Sequence, residues 1–252
     1  MIVLIAGMPR SGSTFSFNVA REVLRARGTT HQQSVEEDVI GPVCRSGGTS
    51  HVLVKAHNLD EPSLALARAG AMRIIMTVRR VEDALASWFT AFDAFPEDQS
   101  LQIMRNWLKL FAQLRAHSLI VPYEQIDRNP SFAAWRIARY LYPVGPAEAI
   151  AIARRYQKAE VKRRADEFCV SGPGIVDAGF SHYDKQTLFH RRHVAALQSR
   201  PAEQVLSKEA LARIRQTLAS AGLRHEVRRS RAKNLSGEAQ TISGSLKAPL
   251  LS

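Results

Sequence analysis

Cysteine is nearly absent from this 252-residue chain. The only two, Cys44 and Cys169, lie far apart. They make neither a disulfide framework nor a metal-ligand spacing, which suits a reducing compartment and a cytoplasmic location. No run of about 18 apolar residues occurs, so no transmembrane helix is expected. The apolar stretch at the N-terminus is too short for a signal peptide, lacks a basic flank and leads directly into a glycine loop. Acid is scarce as well. Against 35 Lys and Arg there are 23 Asp and Glu, a net charge of +12. That balance favours anionic partners: a polyphosphate-like cofactor, nucleic acid or an acidic surface. No nucleic-acid-binding motif accompanies it, so no nucleic-acid partner is expected, while peripheral contact with a membrane surface stays open. With 45% apolar residues the chain can bury the core of one α/β domain.

What is present is an alternation of strands and helices. Residues 1–6, 51–54, 72–78 and 118–121 are short apolar runs that read as buried strands. Helical spacing or helix-start signals mark residues 14–27, 61–69, 81–92, 97–116, a helix starting at Pro130, 146–165 and 207–221. Residues 29–50, rich in Ser, Thr, Gly and Gln, read as a loop with one short element, and residues 169–185 as a loop. The pattern predicts an α/β fold of three layers with a central parallel sheet. Residues 1–227 are expected to form a single domain. Residues 228–252, basic and then Ser/Gly-rich, read as a disordered tail.

The first strand runs into Gly7-Met8-Pro9-Arg10-Ser11-Gly12-Ser13-Thr14-Phe15. Strand, glycine-bounded loop and helix together make an anion cradle, because loop N–H groups and a helix N-terminus converge on one point. The Gly-x4-Gly-x-Ser/Thr spacing is that of a P-loop. The P-loop lysine, however, is missing: its place is taken by Ser13, and the cation is Arg10. A carboxylate for Mg²⁺ is also missing from the strand ends. The second strand ends in Lys55-Ala56-His57 and the third in Arg79-Arg80. The two absences argue against nucleotide-triphosphate hydrolysis. In open parallel sheets ligands bind at the carboxyl ends of the strands, so Arg10, Lys55, His57, Arg79 and Tyr123 are expected on one rim. Cations with one histidine and no acid suit transfer of an anionic group, the histidine taking a proton from an attacking hydroxyl or amine.

Three ordered segments resemble the sulfotransferases that use 3'-phosphoadenosine 5'-phosphosulfate (PAPS). Pro9-Arg10-Ser11-Gly12-Ser13-Thr14-Phe15 is similar to the family's 5'-phosphosulfate loop. Lys55-Ala56-His57 is similar to its Lys-Thr-His strand end. Val78-Arg79 through Ser87-Trp88-Phe89 is similar to its 3'-phosphate motif, in which an Arg and a Ser eight residues on grip the 3'-phosphate. Val121-Pro122-Tyr123-Glu124 is a weaker fourth match. The resemblance covers roughly residues 1–145. It implies a P-loop-like fold, PAPS as sulfuryl donor and an in-line transfer that needs no metal. Within it His57 is the general base, Lys55 stabilises the transferring group and Arg10 faces the leaving phosphate. Pro9, Ser11, Gly12, Ser13, Thr14, Phe15, Arg79, Ser87 and Tyr123 would hold the nucleotide. The family's late Arg-Lys-Gly signature is absent, and Arg191 and Arg192 are the candidates for its work. The acceptor would be a small molecule, a glycan or a lipid. Rival readings are a P-loop kinase with an unusual lysine and a non-catalytic anion- or nucleic-acid-binding protein. The basic residues Arg154, Arg155, Lys158, Lys162, Arg163 and Arg164 read chiefly as a solvated helix face, with an acidic acceptor or membrane surface as the alternative.

Overall fold

The computed structural model describes residues 1–92, 97–168, 172–177, 182–190, 194 and 197–220. In chain order the elements begin β1 (Ile2–Ile5), α1 (Ser13–Arg25), β2 (Thr30–Ser34), α2 (Ile40–Arg45), β3 (His51–Lys55) and α3 (Glu61–Arg68). They continue with β4 (Arg73–Val78), α4 (Val81–Ala91), α5 (Glu97–Leu114), β5 (Ser118–Pro122), α6 (Tyr123–Arg128) and α7 (Pro130–Leu141). The last are α8 (Pro146–Arg155), α9 (Lys158–Asp166), β6 (Ile175–Asp177), β7 (His182–Asp184) and α10 (Lys208–Ser220).

Five strands pair in parallel in the order β2-β3-β1-β4-β5. The central strands are buried on both faces, and alternate residues enter different cores. Val3 and Ile5 of β1, Leu53 of β3 and Ile75 of β4 pack with Phe17 and Val19 of α1 and with Ala134 and Ile137 of α7. Leu4, Val52, Val54, Ile74 and Met76 face the other way, against Leu85 of α4 and Trp107, Leu108 and Phe111 of α5. The expected three layers are therefore present: helices, parallel sheet, helices. Each expected strand is found, and β2 is added. Its sequence, Thr-His-Gln-Gln-Ser, has no apolar face because it forms one edge of the sheet and is half-buried. Residues 146–165 form two helices rather than one, broken at Tyr156 and Gln157. The segment read as a loop at 169–185 contributes the short antiparallel β6–β7 pair.

Strand order fixes where a ligand can enter. From β1 the chain goes to β2 and β3 on one side, then to β4 and β5 on the other. The reversal leaves a crevice at the carboxyl end of β1, between the ends of β3 and β4. Gly7 begins there, in a packed spot: a Cβ at Gly7 would overlap Thr77 Oγ1 and Ser13 Cβ. The buried indole of Trp107 donates to Ala6 O at 2.9 Å and ties α5 to the start of this loop. Trp107→Phe removes that donor and leaves a buried carbonyl unpaired. Its expected cost is about 1–3 kcal/mol, measured as a lower urea midpoint than that of the intact protein; an unchanged midpoint would contradict the assignment.

Candidate active site

The loop after β1 is held by a hydroxyl that turns inward. Ser11 Oγ donates toward Met8 O (2.5 Å) and lies 2.5 Å from Thr77 Oγ1, while Ser11 N–H donates to Met8 O at 3.2 Å. Ser11 is fully buried. It does not line the cavity, which corrects its expected place among the nucleotide-facing residues. With both its polar groups spent on the loop itself, Ser11 shapes the cradle from behind. Arg10 (φ 62°) and Gly12 (φ 87°) both adopt left-handed backbone and turn the chain into α1. Gly12 is the N-cap, and α1 receives no side-chain cap. The first-turn N–H groups of a helix have no intrahelical partner. Gly12, Ser13, Thr14 and Phe15 line the cavity in front of them.

That cavity has a volume of about 1160 Å³ and lies along the carboxyl edge of the sheet. Into it come Arg10, Lys55, His57, Arg79 and Tyr123, the residues the sequence assigned to one rim, and with them Ser87 of α4. Arg79 is 6% exposed, and its Nη1 donates to Arg10 O at 3.1 Å. Its guanidinium carbon sits 4.1 Å from the centre of the Tyr123 ring, a close cation–π contact. Arg10 in turn reaches α4, where its Nε donates to Ser87 Oγ at 3.2 Å. Arg79 and Ser87 are thus brought together through Arg10, across the turn between β4 and α4. Arg80, next in sequence, faces away and pairs with Asp83 at 3.1 Å and Glu203 at 2.6 Å.

Three cations now share a small volume. The Lys55 ammonium makes no hydrogen bond or ion pair with any described residue. Burial first, and then Arg10, push its ammonium down to about 8. Burial and Arg79 push Arg10 down to about 10, so it stays charged at neutral pH. Lys55 and Arg79 have no carboxylate partner among the described residues. Buried positive charge without a counter-ion is unfavourable unless an anion supplies it.

His57 lies 2.6 Å through Nδ1 from Gly7 O. A carbonyl only accepts, so Nδ1 carries the proton and Nε2 keeps its lone pair. Burial, and next the Lys55 charge, drive the imidazolium down to about 3, outweighing the Gly7 hydrogen bond. At neutral pH the ring is a neutral base.

Arg191 and Arg192 lie outside the described residues, as does the expected tail. Other groups, which the sequence did not single out for this rim, line the cavity: Lys158, Phe189, Ser199 and Arg200. Lys158 looked like one of a run of solvated cations. The break at Tyr156 and Gln157 separates it from Arg154 and Arg155 and makes it the first residue of α9. Lys162, Arg163 and Arg164 are matched by Asp166, Glu167 and Glu160 one turn away, an acid-balanced solvent face rather than a basic docking surface. Residues 199 and 200 carry no local signal; only the return of the chain over α4 brings them here. Among the described residues no three His, Cys, Asp or Glu side chains cluster in a metal-ligating arrangement, and no helix is long and apolar enough to cross a membrane.

No protein-family model matches the sequence, and no curated protein matches it. Solved structures do. Retinol dehydratase in complex with androsterone and the inactive cofactor PAP superposes with a TM-score of 0.60 at 11% identity, over 87% of this chain and 80% of that one. The same enzyme with retinol and PAP gives 0.57 at 11%, over 87% and 80%. The mouse sulfotransferase SULT7A1 complexed with PAP gives 0.58 at 13%, over 87% and 84%. This chain has the P-loop-like α/β fold of SULT7A1 and retinol dehydratase, proteins crystallised with PAP.

Proposed function

We propose that this chain is a sulfotransferase that takes a sulfuryl group from PAPS and passes it to a hydroxyl or amine of a small-molecule acceptor. One observation carries the reading: a histidine locked as a neutral base shares the rim with Lys55 and the buried Arg79, neither of which has a carboxylate partner among the described residues. Such a rim binds anions and accepts a proton. The PAP in the related structures is PAPS without its sulfuryl group, and the androsterone and retinol bound by retinol dehydratase support a small-molecule acceptor. Glycan and lipid acceptors are narrower alternatives within the same reaction.

The residues present fit such a nucleotide. The uncapped first turn of α1, with the hydroxyls of Ser13 and Thr14, suits one phosphate, and Arg79 with Ser87 suits a second. Phe15 and Tyr123 offer aromatic walls for a base. When bound, PAPS supplies an activated sulfuryl group on its phosphosulfate bridge. His57 takes the acceptor proton at Nε2 while Nδ1–H remains on Gly7 O, which keeps the ring oriented throughout. Lys55 and Arg10 hold positive charge where negative charge grows, and both are placed before reaction begins.

Arg79→Ala is expected to weaken PAP binding about 10- to 100-fold and to spare binding of adenosine 5'-phosphosulfate, which lacks the 3'-phosphate. Equal losses for both nucleotides would reject the 3'-phosphate role. His57→Ala should lower turnover by about 10²–10⁴-fold with PAP affinity kept; full turnover in that variant would remove His57 as the base. The titrations give a pH signature. Both groups have lowered pKa values. The neutral base of His57 is therefore present at all pH values above about 3, and the Lys55 charge is lost as pH rises through about 8. PAP affinity of the free enzyme should fall through pH 8, and Lys55→Met should abolish that fall. Turnover should show no histidine limb near the ordinary value of 6.5; a limb there that disappears in His57→Ala would contradict the locked neutral ring.

A further inference from the structure

The segment Leu197-Gln198-Ser199-Arg200-Pro201-Ala202 runs along the cavity, which its first four residues line. This strap is fastened at both ends. At the far end Ala202 is fully buried against Ala86 and Leu211, and its N–H donates to Asp83 Oδ1 at 2.8 Å. Glu203 follows, held by Arg80 at 2.6 Å and Arg215 at 3.0 Å. Ala86 is the residue before Ser87, so the strap docks on the turn of α4 that faces the nucleotide rim. At the near end Ser199 Oγ lies 2.8 Å from Tyr123 OH and 2.9 Å from Lys158 Nζ.

Lys158 is the centre of the near fastening. An ammonium has three N–H donors. Those of Lys158 go to Ser199 Oγ, to Leu197 O at 3.4 Å and to the Asp127 carboxylate. All three are spent, so Lys158 is not itself a phosphate ligand, although it lines the cavity. Its Nζ also lies 5.3 Å from the centre of the Tyr123 ring, which Arg79 covers at 4.1 Å. Arg200 presents the opposite case. It lines the cavity, is exposed and makes no hydrogen bond or ion pair with any described residue. It directly follows Ser199, tied to Tyr123 beside Arg79. Only Pro201 separates it from Ala202, seated against Ala86, the residue before Ser87. At about 3.5 Å per residue, those ties confine its backbone to the rim between the two.

We propose that Lys158 is a positioning residue that pins the strap, and that the pinned strap holds the Arg200 guanidinium on the rim beside Arg79 and Ser87, where it takes a phosphate of the bound nucleotide. The inference rests on the nucleotide reading above and adds two residues to it. Lys158 acts through Arg200. Loosening the strap releases the guanidinium to solvent, and the two residues should then behave as one unit.

The experiment is a mutant cycle read by PAP binding in calorimetry. Lys158→Met is made together with Asp127→Asn, so that no bare carboxylate is left beside the anion site. That pair and Arg200→Gln should each raise the Kd of PAP about tenfold. Their combination should be no weaker than the weaker of them by more than about twofold. Arg200→Gln should leave the Kd of adenosine, which has no phosphate, unchanged. Ser199→Ala, on the exposed strap, gives a second way to cut the tether should the Lys158 pair melt early, and it too should add little to Arg200→Gln. Losses that multiply to about a hundredfold would overturn the positioning role, as would an unchanged PAP Kd in the Lys158 pair. A loss on adenosine equal to that on PAP would overturn the phosphate contact. Absence of PAP binding in the intact chain would remove the nucleotide reading and this inference with it, whereas PAP binding with multiplying losses would remove only the inference.

Discussion

Positive charge buried without a counter-ion is the constraint around which the site is organised. Arg79 is almost wholly enclosed, Lys55 is held among Arg10 and the loop after β1, and neither has a carboxylate among the described residues. The fall of the Lys55 pKa from 10.5 to about 8 corresponds to roughly 3 kcal/mol of unfavourable burial and repulsion. A fold bears such a term where function requires it, and the rest of the molecule stabilises it from a distance. Two apolar layers clamp the sheet. Trp107 ties α5 to Ala6, and Ser11 with Thr77 fixes the loop from behind. The strain of a left-handed Arg10 is carried by this surrounding frame.

The same electrostatics explain the histidine. Burial, and next the charge of Lys55, take basicity from the ring, and His57 is driven far below its ordinary value. The gain is a ring that is neutral at any physiological pH, with one tautomer selected by Gly7 O. Gly7 therefore links the two halves of the site: its packing fixes the loop, and its carbonyl orients the base. The polar rim and the base are not separate devices laid on the fold. They share the crevice that strand order creates at the end of β1.

How much of this the sequence carried depends on how local each signal was. Strands β1, β3 and β4 were readable because strands buried on both faces are continuous apolar runs, and the edge strand β5 because Leu119, Ile120 and Val121 still pack on the two cores. Strand β2 was not, since a half-buried edge strand needs no apolar face. Arg10, Lys55, His57, Arg79 and Ser87 were readable because each stands at a strand end or at fixed spacing from one, and a parallel sheet gathers such ends. Ser11 shares the motif yet points inward, a direction set by loop dihedrals that composition does not encode. Lys158 and Arg200 were hidden for a tertiary reason. One is parted from Arg154 and Arg155 by a helix break and bonds the distant Ser199 and Asp127, and the other reaches the rim only because Ala202 docks on α4.

The central claim is that this rim moves a sulfuryl group. Its most direct test is to incubate the purified chain with PAPS and a metabolite extract, without added divalent metal, and to search by mass spectrometry for acceptors that gain a sulfuryl group as PAP accumulates. The account predicts sulfated products that appear only with the intact chain and PAPS together. Incubations with PAPS that yield neither PAP nor a sulfated product, alongside Mg²⁺-dependent phosphoryl transfer from ATP by the same protein, would contradict it.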